Sequence, residues 1–337
     1  NALPVLELLL RDSSAQIRKN TAEVCLRKAS NKQFTDALFN ELLRQDTPLK
    51  PDDVGSWRES GSDKPGAKNN IRARVIPLLQ KQGDAMLQKM ACFFLIETWK
   101  TGDETTLAPF FSSPDPWLRR AALQALQGGS PKLFRARLKE VAADSSEFVR
   151  VLVPNGLQKQ SRSSVRYFNE TNFYSYYSYS GSSQFKVSAA ERDILRQMAA
   201  ADTSPKVRAE AYFALLDIRE KVDLNSLVDT LDLFPDQKVI GERVASYLSE
   251  NYSQLGTNFA ILLPYVDQSE FNPSRLEKVY AYFTGSDKPG NLPDALRAAR
   301  AERKTITADF VESSVTGNVA VAREPLIMVY FSKKTCP

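Results

Sequence analysis

A short motif returns along this chain, and it restricts the fold more than any other feature. An apolar residue followed by a mostly basic one stands at Ile17-Arg18, Leu118-Arg119, Val149-Arg150 and Val207-Arg208, with weaker copies at Leu87-Gln88 and Ile240-Gly241. Three positions after each second residue come Thr21, Ala91, Ala122, Val153, Ala211 and Val244. Seven positions after it come Cys25, Leu95, Leu126, Leu157, Leu215 and Leu248. Offsets of three and seven share one helical face, so each copy reads as one amphipathic helix. The small residue midway allows a neighbouring helix to approach closely. Six positions before three of the arginines stand Asp12, Asp144 and Asp202, each followed by Ser or Thr, as a turn and helix N-cap require. Ser113 holds that place in a fourth copy, with Pro114-Asp115-Pro116 closing the turn.

The intervals agree with a repeat. Gln88 to Arg119 and Arg119 to Arg150 are both steps of 31, and Arg208 to Gly241 is a step of 33. The gaps from Arg18 to Gln88 and from Arg150 to Arg208, 70 and 58 residues, are close to two units each. A period near 30 that holds two helices predicts an all-α chain, an α-solenoid in which each unit buries its apolar face against its neighbours.

The segments Asp202-Thr-Ser-Pro-Lys-Val-Arg-Ala-Glu-Ala-Tyr-Phe-Ala-Leu and Ser113-Pro-Asp-Pro-Trp-Leu-Arg-Arg-Ala-Ala-Leu-Gln-Ala-Leu resemble HEAT repeats. They are closest to the short HEAT-like type of phycobilisome-lyase-type and many bacterial scaffold proteins. The resemblance spans roughly residues 3–285, strongest in these two units. It implies a curved stack of helix pairs and no particular activity, because such repeats serve many unrelated partners. Pro154 departs from the pattern and predicts a kinked or shortened helix after Arg150.

Two stretches interrupt the pattern. Residues 46–70, rich in Pro, Gly, Asp and Ser, read as a long loop. Residues 161–186 gather Tyr167, Phe168, Phe173, Tyr174, Tyr176, Tyr177, Tyr179 and Phe185 among Ser, Asn and Gly, and read as a second inserted loop. The hexapeptide Gly-Ser-Asp-Lys-Pro-Gly occurs at 61–66 and 285–290 and reads as turn chemistry. Residues 286–337 form a C-terminal extension in which Pro325-Leu-Ile-Met-Val-Tyr-Phe is the clearest β-like run.

Composition narrows the chemistry. The 337 residues include no histidine, which removes Ser-His and Cys-His nucleophile pairs, imidazole bases and His-ligated zinc. Cys25, Cys92 and Cys336 are too few for a disulfide framework or a four-sulfur zinc site. Cys25 and Cys92 fall on or near the apolar face and read as core residues. Acid pairs such as Asp52-Asp53 and Asp103-Glu104 lie in turn-like contexts and read as caps or solvent charge. No catalytic residue, cofactor or metal site is expected, and no run is long and apolar enough for a membrane span.

Three regions carry a functional expectation. Between Trp117 and Arg166 stand ten Lys or Arg and three acids, an excess of seven against a net charge of +5 for the whole chain. Arg119, Arg120, Arg135, Arg137 and Arg150 are therefore candidates for a protein partner or, alternatively, for a nucleic acid or other polyanion, with tyrosines nearby for stacking. Tyr174, Tyr176, Tyr177 and Tyr179 have the Tyr/Ser composition of a protein-binding loop. Finally, the β-like run ends in Ser332-Lys-Lys-Thr-Cys336-Pro337, which resembles the opening of a thioredoxin- or glutaredoxin-like domain or a c-type haem attachment site. Either would need a second cysteine beyond Pro337, and the alternative it implies is the helical part of an extracytoplasmic redox protein. The expectation is a non-enzymatic protein-binding scaffold, leaning slightly to the periplasm or cell envelope over the cytoplasm.

Overall fold

The computed structural model describes residues 3–44, 46–54, 65–81, 84–157, 166–168, 173–175, 186–234, 237–266, 273–285 and 294–311. The N-terminal helices are α1 (Leu3–Leu10), α2 (Ala15–Arg27), α3 (Lys32–Leu42), α4 (Pro65–Gln80), α5 (Ala85–Glu97) and α6 (Asp103–Leu107). The central ones are α7 (Pro116–Gly129), α8 (Pro131–Ala136), α9 (Leu138–Ala142), α10 (Glu147–Arg150), α11 (Leu152–Leu157), α12 (Ala189–Ala201) and α13 (Pro205–Asp217). The last are α14 (Leu224–Leu231), α15 (Gln237–Asn251), α16 (Leu263–Val266), α17 (Pro273–Thr284) and α18 (Asp294–Ala301). Two three-residue strands, β1 (Arg166–Phe168) and β2 (Phe173–Ser175), pair antiparallel inside the tyrosine-rich insertion. Among the described residues the chain is all-α apart from this hairpin and two isolated bridges.

Local chemistry sets the helix starts. Asp115 and Asp223 accept hydrogen bonds from the backbone N–H two residues on, and Asp84 from the one three on. Ser188 and Glu191 form a reciprocal capping box at the start of α12. Proline occupies the first turn of α7, α8 and α13, where its missing N–H has no partner to lose. The helix after Arg150 is interrupted at Val151, as Pro154 foretells, and the proline then sits in the first turn of α11. One boundary differs from expectation: α4 begins at Pro65, so the last six residues of the 46–70 stretch are helical. Proline at a helix start is favourable, and loop composition alone conceals it.

The apolar periodicity is realised residue by residue. All twelve positions at offsets three and seven from the motif are buried, with none more than 5% exposed. The packing gathers two cores. The first runs from Leu10 to Leu215 and the second from Ala209 to Ala308. They meet at α13, which faces the first with Val207, Ala211, Ala214 and Leu215 and the second with Ala209, Phe213 and Leu216. A helix apolar on two opposite stripes is buried between layers rather than laid on a surface.

The helical packing continues beyond residue 285. Past α18 the segment 304–311 turns back over the second core. Leu224 N–H donates to Ile306 O at 2.8 Å and Ala308 N–H to Val222 O at 2.9 Å. Farther along, Gly256 N–H donates to Asp309 O at 2.9 Å and Val311 N–H to Gln254 O at 3.0 Å. A Cβ at Gly256 would fall 2.0 Å from the Asp309 carboxylate, which would have to turn away and release Asn258 N–H. The β-like run at 325–331 and Cys336 lie outside the described residues.

Candidate functional site

The motif arginines and aspartates meet in a recurring joint between helices. Within the turn, Ser14, Ser146 and Ser204 donate their backbone N–H groups to Asp12, Asp144 and Asp202 Oδ1, each at 2.8 Å. The arginine of the same helix closes that turn from the other side. Arg18 Nη1 donates to Asp12 O at 2.9 Å, Arg119 to Ser113 O at 2.7 Å, Arg150 to Asp144 O at 3.0 Å and Arg208 to Asp202 O at 2.6 Å. The rest of the guanidinium reaches forward to the next turn. Arg119 Nε and Nη2 donate to the two Asp144 carboxylate oxygens at 2.8 and 2.7 Å. Arg150 does the same to Asp202, at 2.8 Å to each oxygen. Arg18 Nε reaches Asp53 Oδ2 at 2.8 Å.

Arginine suits this place because one planar fork serves a backbone carbonyl and a carboxylate together, which a lysine ammonium cannot do with the same geometry. Where α5 carries Gln88 at the motif position, the function divides. Gln88 Nε2 donates to Lys81 O at 2.9 Å, and the adjacent Lys89 Nζ pairs with Asp115, the N-cap of α7, at 2.9 Å. Burial alone would raise the Asp144 pKa, but the bonds from Arg119 and from Ser146 N–H outweigh it and hold the carboxyl below its ordinary range. Asp115 is likewise held down, against its burial, by Lys89 and Trp117 N–H.

Two further joints were not legible in the motif. Arg72 makes a bidentate pair with Asp103 and also donates to Thr98 O at 3.1 Å. Arg135 grips both carboxylate oxygens of Glu191 and the carbonyl of Lys186 at 2.9 Å. Burial pushes the Glu191 pKa up, yet Arg135 and Ser188 overcome this and bring it to about 2. Asp53 and Asp103, expected as caps or solvent charge, are buried receptors of these arginines, at 6% and 3% exposure. Their partners lie 35 and 31 residues away, beyond the reach of local reading.

The remaining candidates fall as follows. Arg120 donates to Phe148 O at 3.0 Å and stands 5.9 Å from the centre of the Trp117 ring, which stacks on Phe148 at 4.4 Å. Arg137 bonds Glu140 at 2.7 Å and lies 4.3 Å from the centre of the Phe111 ring. Each of the five candidate arginines thus bonds to a group of the same chain, with Arg119, Arg120 and Arg150 all meeting residues 144–148, Arg135 at Glu191, and Arg137 in an exposed pair with Glu140. Tyr174 sits in β2 in register with Tyr167, while Tyr176, Tyr177 and Tyr179 lie outside the described residues. Cys25 and Cys92 are buried, and burial pushes the Cys25 thiol up to about 11 and raises that of Cys92 as well.

Among the described residues no group of three or more His, Cys, Asp or Glu side chains could hold a metal ion. No helix among them is long and apolar enough to cross a membrane. An open cleft of about 530 Å³ lies between Arg219, Lys221, Asn258 and residues 307–311 of the returning segment. The signal for that segment lies in Ile306, Ala308 and Phe310, an apolar alternation of period two within a chain dominated by helical periods. No protein-family model matches the chain, and no curated protein matches it significantly.

Proposed function

We propose that this chain is an α-solenoid of HEAT-like helix pairs that acts as a non-enzymatic protein-binding scaffold. The observation that carries the reading is the joint in which Arg119 and Arg150 each close their own turn and bind the aspartate of the next. A device repeated at a 31-residue step, between helices that share the same buried face, is what a stacked array needs to keep a constant register. Engagement of the five arginines by carboxylates, carbonyls and rings favours a protein partner over a polyanion, because phosphates would have to displace these internal bonds. The surface offered to a partner consists of the exposed helix faces together with the tyrosine-rich insertion that carries Tyr174, Tyr176, Tyr177 and Tyr179.

Two measurements test this. Small-angle scattering should give a radius of gyration well above the roughly 20 Å expected of a compact domain of this length. A value near 20 Å sinks the solenoid. Photo-crosslinkers placed at exposed Leu133 and Lys139 and, in turn, at positions in the 161–186 insertion should capture one recurring polypeptide in a native extract. Heparin or single-stranded DNA binding that weakens steeply with salt, without a polypeptide crosslink, would replace the scaffold reading with the polyanion one.

A further inference from the structure

The returning segment 306–311 is extended, so the backbone groups of successive residues point to opposite sides. Ile306 and Ala308 bond residues 222–224 on one side, and Asp309 and Val311 bond residues 254–256 on the other. Thr307 keeps the alternation, its carbonyl accepting from Asn258 Nδ2 at 2.8 Å. Phe310 therefore faces the side of residues 222–224, but the pairing there ends one place too soon. Val222, opposite Ala308, makes the last bond of that ladder, and the chain before it turns away into the C-terminal cap of α13. Among the described residues nothing bonds Phe310 N–H or C=O. The open cleft between Arg219, Lys221 and Phe310 is the next place in the ladder.

The cap that borders this slot carries an unusual residue. Arg219 N–H donates to Leu216 O and Glu220 N–H to Leu215 O, both at 2.9 Å, a paired closure in which glycine is the usual residue at the first position. Arg219 holds that position at φ 59°, in the left-handed region that disfavours a side chain. Glycine would serve the turn better, and what arginine adds is a guanidinium at the cleft, tied to Gln254 Oε1. Lys221 stands exposed on the same wall.

We propose that the cleft binds the free C-terminus of a partner polypeptide, extended and antiparallel to residues 306–311. The incoming chain bonds Phe310 N–H and C=O and prolongs the ladder beyond Val222. An antiparallel peptide opposite Phe310 runs towards Val222, whose backbone already fills the following place. It must end there, and its terminal carboxylate comes to rest beside Arg219 and Lys221. The blocked end of the slot thus selects a chain terminus over an acidic side chain within a longer segment. The inference deepens the scaffold reading and rests on it, giving the chemistry of one partner contact.

The probe is a library of random heptapeptides displayed with free C-termini and selected on the full chain. Enriched peptides, made with an N-terminal fluorescein, are then titrated by fluorescence anisotropy. Saturable binding is expected, weakened about tenfold when the peptide C-terminus is amidated. Lys221→Gln alters an exposed side chain and should also weaken binding about tenfold, with the thermal midpoint unmoved. Arg219→Gly should weaken it by a similar factor while the midpoint stays or rises, because glycine suits the left-handed cap. Hydrogen exchange at the Phe310 amide should be fast in the free chain and slow about tenfold or more with peptide bound.

The proposal is overturned if no peptide is enriched, if the amidated form binds equally well, or if either variant titrates unchanged. Exchange at Phe310 that ignores the peptide overturns it too, and so does slow exchange in the free chain, since the chain itself would then fill the slot. The scattering and crosslinking tests use no peptide. A failed selection beside successful crosslinks at Leu133 or Lys139 therefore rejects this cleft and leaves the scaffold reading standing.

Discussion

The two cores on either side of α13 are held by different means. In the first, a cation leaves each motif helix and finds an aspartate in a turn 25 to 52 residues further on, as Arg119 finds Asp144 and Arg150 finds Asp202. In the second, side-chain pairs persist, such as Arg243 with Glu210, but the closing contacts are backbone ones from residues 306–311 to residues 222–224 and 254–256. Aromatic rings fill the space between, with Phe213, Tyr247, Phe259 and Phe310 each within 6.4 Å of the next. The contrast follows from the elements. The first region reuses one side-chain device on helices that range from the four residues of α10 to the fourteen of α7. The second region joins α15 to a 3-10 segment over Thr257–Leu262 and the four-residue α16. There the chain closes itself with an extended segment, which adapts to irregular neighbours.

The strongest way to break the comparison is at the helix the two cores share. Phe213→Ala, which removes a fully buried ring lying under Arg243 and beside Tyr247, should cost about 3–5 kcal/mol in urea unfolding. If the cores form one cooperative unit, tryptophan fluorescence from Trp99 and Trp117 in the first region will report the same shifted midpoint as far-ultraviolet dichroism. Separate midpoints would show that each core unfolds alone.

Gly256→Ala attacks the second region at its closing strand and should cost about 1–3 kcal/mol, with hydrogen exchange accelerating at 254–258 and 306–311 but not in α7. Acceleration throughout would mean that the strand holds both cores. For the first region, a double-mutant cycle on Arg150→Gln and Asp202→Asn should return a coupling of about 1–2 kcal/mol. A coupling near zero would reduce these pairs to decoration. Replacing buried ion pairs by apolar residues is often neutral, so the role sharpened here is register more than net stability.

The smallest effect at neutral pH concerns Glu191. Its folded pKa of about 2 lies below its ordinary value of 4.5, so its stabilisation is complete above that value and fades as pH falls towards 2. Glu191→Gln should therefore lose more stability at pH 7 than at about pH 3, measured as the change in urea midpoint. An equal loss at both would show that the carboxylate charge is not what Arg135 recognises.

How much of this was legible beforehand depends on distance along the chain. The burial of Ala122, Leu126, Ala211 and Leu215 could be read because helical periodicity is local. The aspartate-serine turns could be read for the same reason. The pairing of Arg119 with Asp144 could not, since a residue count sees an excess of positive charge and not the carboxylate that each guanidinium meets. That is why three cations of the basic region, Arg119, Arg135 and Arg150, turned out to bind carboxylates of the same chain. The segment 304–311 escaped because three alternating residues carry too little signal against a helical background. The candidate site was legible only in its parts, with Arg119, Arg135 and Arg150 in plain view but the carboxylates they grip hidden by their distance along the chain.

The two-sided character of α13 has a consequence for synthesis. When the ribosome has just made this helix, its first stripe can pack at once against helices already present. The stripe of Ala209, Phe213 and Leu216 must wait for α14 and α15, about thirty-five more residues and roughly 2 to 7 seconds at ordinary rates of elongation. Through that interval the nascent chain carries a buried-type surface with nothing to bury it. A chaperone that recognises apolar helices would find its best opportunity there, and a stop codon within that stretch would make the exposure permanent.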